Sequence, residues 1–482
     1  MSKKVAVIDL GSNSVRLAIF ERTSRLGFYV VGEYKVKIRL GEGAYENGGM
    51  LTKSAMDKCF LAFSDFKKII SDQKISRVLC IGTSALRDAP NANEFISKIR
   101  RELGLNLRKI TGEDEAKYGA LAVNNLIAPL DEFCTIDIGG GSTELTKIKN
   151  GKIIDQISLN LGTVRLKELF FDRRDLSGCA QFVREAIGEI PAGFQSQNLV
   201  TIGGSLRAIS SAIMEKTEYP LKILHNFSYK FDDFREFIVK IQNANPNELE
   251  KFDIKKERFD TIRQGAMIFL QVAQFTGAKR IFTSGVGIRE GVFLSRILGE
   301  NAKFPANFNP SLKSLLDRFA LRQSFAPKLA KELFLALAPL HKISPNFLME
   351  LTTAAKIAET GTQIDYYENH INSAYLAISC LNYGYTHEQK ALIAALIRIN
   401  GKRNTSAVNE YKFLLPKDEI LIWLSFILKF SMILDRFGTR DLQIKFENRQ
   451  LFIDNSSQSL LLRAEIEKLN KPIDFEIFFT KF

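Results

Sequence analysis

The chain of 482 residues has few histidines and no paired cysteine motif. Its four histidines, His225, His341, His370 and His387, are scattered, which leaves little for a metal centre built on imidazole. The five cysteines, Cys59, Cys80, Cys134, Cys179 and Cys380, are odd in number and form no Cys-x-x-Cys pair. That argues against a disulfide framework and for a reducing, cytoplasmic setting. No long Lys/Arg run or Arg-Gly tract is present, so no specific nucleic acid is expected. The most apolar segment, Ile420 to Leu434, is too short to span a bilayer and contains Lys429. It reads as a buried helix, and no membrane partner is expected. The opening residues, "MSKKVAVIDLG", run straight into a strand pattern, so no signal peptide is expected either.

What is present is a soluble globular composition, with 45% apolar and 25% charged residues. The length suits about three domains. The net charge of +13 favours an acidic partner: polyphosphate, nucleotide, nucleic acid or anionic membrane.

The strongest local signal is "CTIDIGGGSTEL", residues 134–145. An apolar run carrying Asp137 meets three glycines, then Ser142, Thr143 and Glu144. Glycines let a backbone approach a ligand closely, and successive N–H groups in such a turn suit an anion. Asp137 does not bind a phosphate itself, because like charges repel. It makes sense if a cation such as Mg2+ lies between them. An ordinary glycine turn after a core strand is the other reading of this stretch alone. The N-terminus repeats the pattern. Val7-Ile8-Asp9-Leu10-Gly11-Ser12-Asn13-Ser14 lies over Thr135-Ile136-Asp137-Ile138-Gly139-Gly140-Gly141-Ser142, and Leu17 matches Leu145. The repeat predicts two similar halves, each offering an Asp-x-Gly hairpin turn to a shared cleft. Two more glycine turns, Gly203-Gly204-Ser205 and Gly285-Val286-Gly287, follow β-like runs.

Strands are expected within 4–20 and 28–40, then at 77–82, 106–110, 133–138, 199–202 and 279–283. Helices are expected at 52–71, 91–103, 113–127, after Gly162, at 205–215 and at 258–275, with a polar turn over 83–90 and a hairpin around 149–152. This alternation indicates an α/β class. The composition changes at "NAKFPANFNP", residues 301–310, which suits a linker. Residues 311–435 are almost entirely helical in pattern. The tail reads as a hairpin, a helix and a strand.

The pieces "VIDLGSNSVRL", "IGTSALRDAPN", "ITGEDEA", "TIDIGGGSTEL", "LGTVRLKELF" and "SGVGIREGV" together resemble the exopolyphosphatase and guanosine pentaphosphate phosphohydrolase family, in order and spacing, over residues 4–298. That family belongs to the acetate kinase, sugar kinase, Hsp70 and actin superfamily. The resemblance implies two ribonuclease H-like domains around a cleft, over 1–125 and 126–300. A helical HD-like domain over 311–435 and a small α+β segment over 436–482 follow. It implies Mg2+- or Mn2+-dependent hydrolysis of the terminal phosphoanhydride of inorganic polyphosphate or guanosine pentaphosphate, two substrates that the site chemistry does not separate, and a homodimer.

By this resemblance Glu115 in "GEDEA" matches the catalytic glutamate, a carboxylate that accepts a proton from, or orients, an attacking water. Its neighbours Glu113 and Asp114 read as first-turn acids that complement a helix dipole. Three adjacent acids are also expected to raise one another's pKa. Arg87 matches a phosphate-binding arginine, with a surface ion pair to Asp88 as the plainer reading. Asp137 and Glu144 are the expected metal carboxylates, with Asp9 through water. Ser12, Asn13, Ser14, Gly139, Gly140, Gly141, Ser142, Thr143, Gly204 and Ser205 are expected to hold phosphate. Arg289 in "GIREG" is a lesser candidate for the site, read first as structural. In the long members the helical domain resembles HD-type phosphohydrolases, whose His-Asp would align with Ala358-Glu359; a further histidine position falls in "ALIRING", and His370 stands alone. A second metal site is therefore not expected, and this domain reads as a substrate-guiding or dimerising module. A non-catalytic protein that binds an alarmone or polyphosphate is the alternative, disfavoured by the intact Glu115.

Overall fold

The computed structural model describes residues 3–43, 48–299, 302–437, 442–454 and 459–480. The chain divides into two compact units, Met1–Pro310 and Ser311–Phe482. The proline- and asparagine-containing stretch 301–310 thus belongs to the first.

Two sheets in the first unit follow one plan. Strands β1 (Lys4–Leu10), β2 (Ser14–Arg22), β3 (Phe28–Lys37), β4 (Arg77–Gly82) and β5 (Leu107–Lys109) are ordered β3-β2-β1-β4-β5. The first three are antiparallel, and β4 and β5 run parallel to β1. Strands β6 (Glu132–Ile138), β7 (Thr143–Lys149), β8 (Lys152–Leu159), β9 (Asn198–Ile202), β10 (Ser228–Lys230) and β11 (Arg280–Thr283) are ordered β10-β11-β9-β6-β7-β8. The same meander-then-parallel arrangement recurs, with β10 added at the edge. The apolar runs at the centre of β1 and β6 are buried on both faces, as central strands covered by helices require.

Helices α1 (Lys53–Asp72), α2 (Ser84–Asp88), α3 (Ala92–Leu103), α4 (Gly112–Leu126), α5 (Thr163–Leu166), α6 (Leu176–Gly188), α7 (Gly204–Lys216), α8 (Phe231–Asn243), α9 (Ile262–Thr276) and α10 (Ile288–Ile297) connect and cover the strands. Thr52 and Thr111 cap α1 and α4 by accepting from the backbone N–H of Ala55 and Asp114. Three expectations need correction. The polar turn over 83–90 contains α2, because Ala85 and Leu86 are buried and draw one helical turn inward. The helix expected from 258 begins at Ile262, since Lys256–Arg258 forms a separate 3-10 turn. Helices α6, α8 and α10 are absent from that expectation; α8 begins without a side-chain oxygen capping its first turn, and α10 has glycine rather than Ser, Thr, Asp or Asn at its start, with only Glu290 reaching back to the Gly287 N–H.

Two helices cross between the sheets. Helix α4 packs Ala120 and Val123 against Phe133, Ile148, Val200 and Ile202 of the second sheet. Helix α10, late in the chain, returns to the first sheet. Its Phe293 stacks on Phe20 with ring centres 4.4 Å apart and lies 4.8 Å from Phe28. The two helices meet at Gly291, where a Cβ would stand 1.9 Å from the carbonyl oxygen of Tyr118.

The second unit holds α11 (Pro310–Phe319), α12 (Ala326–Ala336), α13 (Ala338–His341), α14 (Leu348–Ile357), α15 (Asn369–Cys380), α16 (His387–Ile399) and α17 (Asp418–Arg436). It ends with β12 (Ile444–Glu447), β13 (Gln450–Asp454), α18 (Leu460–Glu467) and β14 (Glu476–Thr480). The hairpin β12-β13 gains β14 parallel to β13. Leu424, Ile427 and Phe430 of α17 share one core with Leu451, Ile453, Leu462 and Phe475, so helices and tail fold together. Among the described residues, no helix is long and apolar enough to cross a membrane.

Because the obstructing atom at Gly291 is backbone, Gly291→Ala is expected to cost roughly 1–3 kcal/mol, the usual range for overpacking. Chemical denaturation of the full chain measures this; an unchanged midpoint would mean the α4–α10 crossing is looser than described.

Candidate active site

The two hairpin turns close in the same way. Gly11 donates its N–H to Ser14 O at 3.1 Å, and Gly139 donates to Ser142 O at 2.9 Å. The turns face and touch each other. A Cβ on Gly140 would stand 2.9 Å from the Ser12 Cβ, so glycine lets the second turn reach the first. Helix α5 braces this turn: Thr163 N–H donates to Gly139 O at 3.0 Å, and Arg165 Nε to Gly141 O at 2.9 Å. Arg165 also pairs with Asp88 at 3.0 Å, which ties the second half to α2 of the first.

Between the turns lies a cavity of about 130 Å3. Of the residues expected to bind phosphate, Ser12, Asn13, Ser14, Gly139, Gly140, Gly141, Ser142, Gly204 and Ser205 line it. Thr143 does not; its hydroxyl is fully buried and donates to the Leu161 carbonyl at 2.5 Å, so it serves the fold. The Asn13 Oδ1 is buried with no protein partner, an acceptor that a donor on a ligand or bound water would satisfy.

Asp137 and Glu144 are directly opposed across β6 and β7, and Asp9 and Arg16 are directly opposed across β1 and β2. The two halves thus differ at one equivalent position. In the first, an arginine stands beside the aspartate; in the second, another carboxylate does. Burial raises Asp137 to about 6, with Arg207 opposing and Asp9 adding to the rise. Burial and then Asp137 raise Glu144 to about 7, although Ser142 and Ser158 hydrogen-bond it; the Ser158 hydroxyl donates at 2.9 Å. Burial raises Asp9 too, and the nearby Arg16 and Arg289 hold it back.

Glu115 projects from the first turn of α4 toward this cluster. Arg87 donates to it at 3.1 Å, and also to the Ser142 hydroxyl at 3.4 Å and the Ile110 carbonyl at 3.4 Å. The expected surface pair of Arg87 with Asp88 is present but long, at 3.9 Å. Glu115 is held well above the ordinary carboxylate range by burial, then by Glu144, against the opposing Arg87. Its neighbours Glu113 and Asp114 are not the cause. The helix points successive side chains about 100° apart, so adjacent residues do not face one another.

Five cations also line the cavity and were largely missed from the sequence: Arg16, Lys35, Arg207, Arg258 and Arg289, with Glu290 among them. Burial, then Arg258 and Arg16, lowers Lys35 to about 8, a sign of cations crowded together. Arg289, read as structural, does pair with Glu33 at 3.0 Å, yet it also lines the cavity. Arg16 was within reach of the repeat, since it falls on the position of Glu144. Lys35 and Arg258 lie outside every motif.

The Ppx/GppA phosphatase family profile matches residues 18–300, and its domain III profile matches residues 313–472. The chain belongs to the Ppx/GppA phosphatase family. It is 26% identical over 415 residues to a guanosine-5'-triphosphate,3'-diphosphate pyrophosphatase of Aliivibrio fischeri, covering 83% of this chain and 80% of that one. A protein of the same name from Aeromonas hydrophila is 26% identical over 404 residues, covering 81% and 79%. The crystal structure of the Aquifex aeolicus Ppx/GppA family member superposes with a TM-score of 0.53 at 29% identity, covering 62% of this chain and 98% of that one. An exopolyphosphatase from Cytophaga hutchinsonii, at 21% identity and a TM-score of 0.55, covers 61% and 97% and shares the fold. The Ppx/GppA assignment agrees with the resemblance read from the six motifs, and the paired sheets are the fold it implied.

The raised carboxylates give this Ppx/GppA site a pH signature. A group whose pKa is higher folded than unfolded stabilises the fold below its unfolded pKa and loses that contribution as pH rises through the folded value. For Glu144 the window runs from 4.5 to about 7. Without divalent metal, wild type should lose stability relative to Glu144→Gln across that window, by up to about 3 kcal/mol. Parallel melting curves of the two proteins from pH 4.5 to 8 test this; a constant gap would show that Glu144 is not strained.

Proposed function

We propose that the protein hydrolyses the terminal phosphoanhydride of inorganic polyphosphate or guanosine pentaphosphate with Mg2+ or Mn2+, and that Glu115 handles the attacking water. The observation that carries this is a cavity between two facing glycine turns, lined by arginines, Glu115 and Asp137, with Glu144 buried directly opposite Asp137 on the neighbouring strand. The names of the relatives, pyrophosphatase and exopolyphosphatase, support the substrate class.

The side chains fit a divalent cation. Asp137 and Glu144 are buried beside each other, and after burial itself Asp137 is what most raises the cost of ionising Glu144. A dication relieves that repulsion. Among the described residues no three His, Cys, Asp or Glu side chains converge as a complete cage. Mg2+ needs only one or two carboxylates and fills its remaining positions with water and phosphate oxygens, so a pair of acids suffices. Asp137 and Glu144 would hold it, with Asp9 through water. When bound, the ion neutralises charge on the phosphate oxygens in a loose transition state.

The chain's own residues do the rest. The turns at Ser12–Ser14 and Gly139–Ser142, with Gly204 and Ser205, offer backbone N–H and hydroxyl donors to phosphate oxygens. Arg16, Lys35, Arg207 and Arg258 hold the remaining phosphates, whose negative charge relieves the crowding of those cations. Arg87 fixes Glu115 by an ion pair and donates to Ser142, which joins base and phosphate turn. Glu115 takes the proton of the attacking water at its carboxylate. Its high pKa makes it a stronger base than an exposed glutamate once ionised.

Cytoplasmic location and a homodimer complete the proposal; five cysteines without a disulfide support the first. We assign the C-terminal unit a substrate-guiding or dimerising role.

Glu115→Gln is expected to keep fold and substrate affinity and lose turnover by roughly 10²–10⁴-fold. Phosphate release from polyphosphate and from guanosine pentaphosphate, assayed side by side with Mg2+, checks this. Binding without phosphate release in the wild type would favour the non-catalytic alternative. Asp137→Asn should shift the Mg2+ dependence to higher concentration; an unchanged titration curve removes Asp137 from the metal site.

A further inference from the structure

The C-terminal unit contains a second cavity, of about 400 Å3, within the range of small-molecule sites. It lies wholly inside that unit. Helix α17 contributes Leu428, Lys429, Met432 and Arg436, spaced as one helical face. Lys429 is the charge that interrupts the most apolar segment of the sequence. Its amine donates to the Asn400 Oδ1 at 3.1 Å, and among the described residues it meets no carboxylate. A half-buried ammonium whose hydrogen-bond partner is an amide oxygen, with Glu359 and Glu465 acting on it only at longer range, gains when an anion joins it.

The lining contains three cations, Arg322, Lys429 and Arg436, against one carboxylate, Glu359. Arg322 is committed elsewhere, pairing with Asp435 at 2.9 Å. Arg436 has only a long contact to Glu359, at 3.7 Å, and Arg322 shares that carboxylate at 3.3 Å. Lys429 and Arg436 are seven residues apart, about 10.5 Å along the axis, a gap that two long side chains close on one phosphate group or two. At the same cavity stand Tyr366 and Tyr367, 72% and 85% exposed, their ring centres 5.4 Å apart. Two adjacent tyrosines so open to water cost nothing to cover, and a planar ring gains by stacking on them.

We propose that this cavity binds a nucleotide, its phosphate held by Lys429 and Arg436 and its base laid on Tyr366 or Tyr367. A bare polyphosphate would use the cations and leave the tyrosines idle. The site is separate from the cleft and does not depend on the reading given to it.

The test uses the full chain and GMP, which has no phosphoanhydride to cleave. Equilibrium dialysis compares GMP, inorganic phosphate and guanosine on wild type, Lys429→Gln, Arg436→Gln and the double Tyr366→Ala/Tyr367→Ala variant. Circular dichroism and the emission of Trp423, the single tryptophan, verify folding. If Lys429→Gln does not fold, Arg436→Gln, on a half-exposed side chain, reads the same phosphate position. Each charge variant should weaken GMP binding about tenfold or more. The tyrosine variant should weaken GMP by roughly five- to a hundredfold and leave phosphate unaffected. Three results would each overturn the proposal: GMP bound equally by wild type and charge variants, GMP bound no better than phosphate, or no GMP binding at millimolar concentration.

Discussion

Two carboxylates forced side by side in the interior, Asp137 on β6 and Glu144 on β7, are the constraint around which the first unit is arranged. Their opposition follows from the register of one hairpin, and a slip of one residue would send one of them to the other face. Nothing about the fold needs two buried acids there. Arg16 stands at the equivalent place in the first half and opposes the rise that burial imposes on Asp9. The second half could have been built the same way. That it carries a glutamate instead leaves negative charge that a cation must balance, and this asymmetry is what turns a duplicated hairpin into a site.

The site needs both halves held at a fixed separation, and the crossed helices supply that. Helix α4 brings Glu115 from the end of the first sheet while its body packs on the second. Helix α10 returns from the second sheet to stack Phe293 on Phe20. With Gly291 against Tyr118, neither helix can shift without the other. Ion pairs across the cleft, Arg165 with Asp88 and Lys37 with Asp260, add to this at the rim. Partly exposed pairs of this kind each contribute little, so the aromatic packing carries more of the load.

Charge is separated within the cleft. Carboxylates gather at Asp137, Glu144 and Glu115, and cations gather at Arg16, Lys35 and Arg258. Each group is internally repulsive without ligands, as the raised acids and the lowered Lys35 record. A cation with a polyanion relieves both strains at once. The binding energy of such a ligand is thereby partly stored in the unliganded fold.

Much of this was legible along the chain. The repeat of Asp9-Leu10-Gly11 and Asp137-Ile138-Gly139 gave two facing turns, because strand, aspartate and glycine are local features with local consequences. Glu115, Arg87 and the glycine turns were placed by their motifs, and all but Thr143 of the phosphate-binding set reach the cavity. Thr143 could not be told from Ser142 by position; only the neighbouring Leu161 carbonyl decides which hydroxyl is turned away from the cavity. Lys35 and Arg258 were invisible because they arrive from distant segments with no pattern of their own. The cause of the high Glu115 pKa was also misplaced, onto its helix neighbours rather than onto burial and then Glu144. The sequence by itself therefore determined the fold class, the paired turns and the residues that local geometry places at strand and helix ends. The tertiary structure alone decided which helix covers which sheet, which cations reach the cleft and which acids strain one another. Those depend on distances between residues far apart in the chain, and chain order does not encode distance.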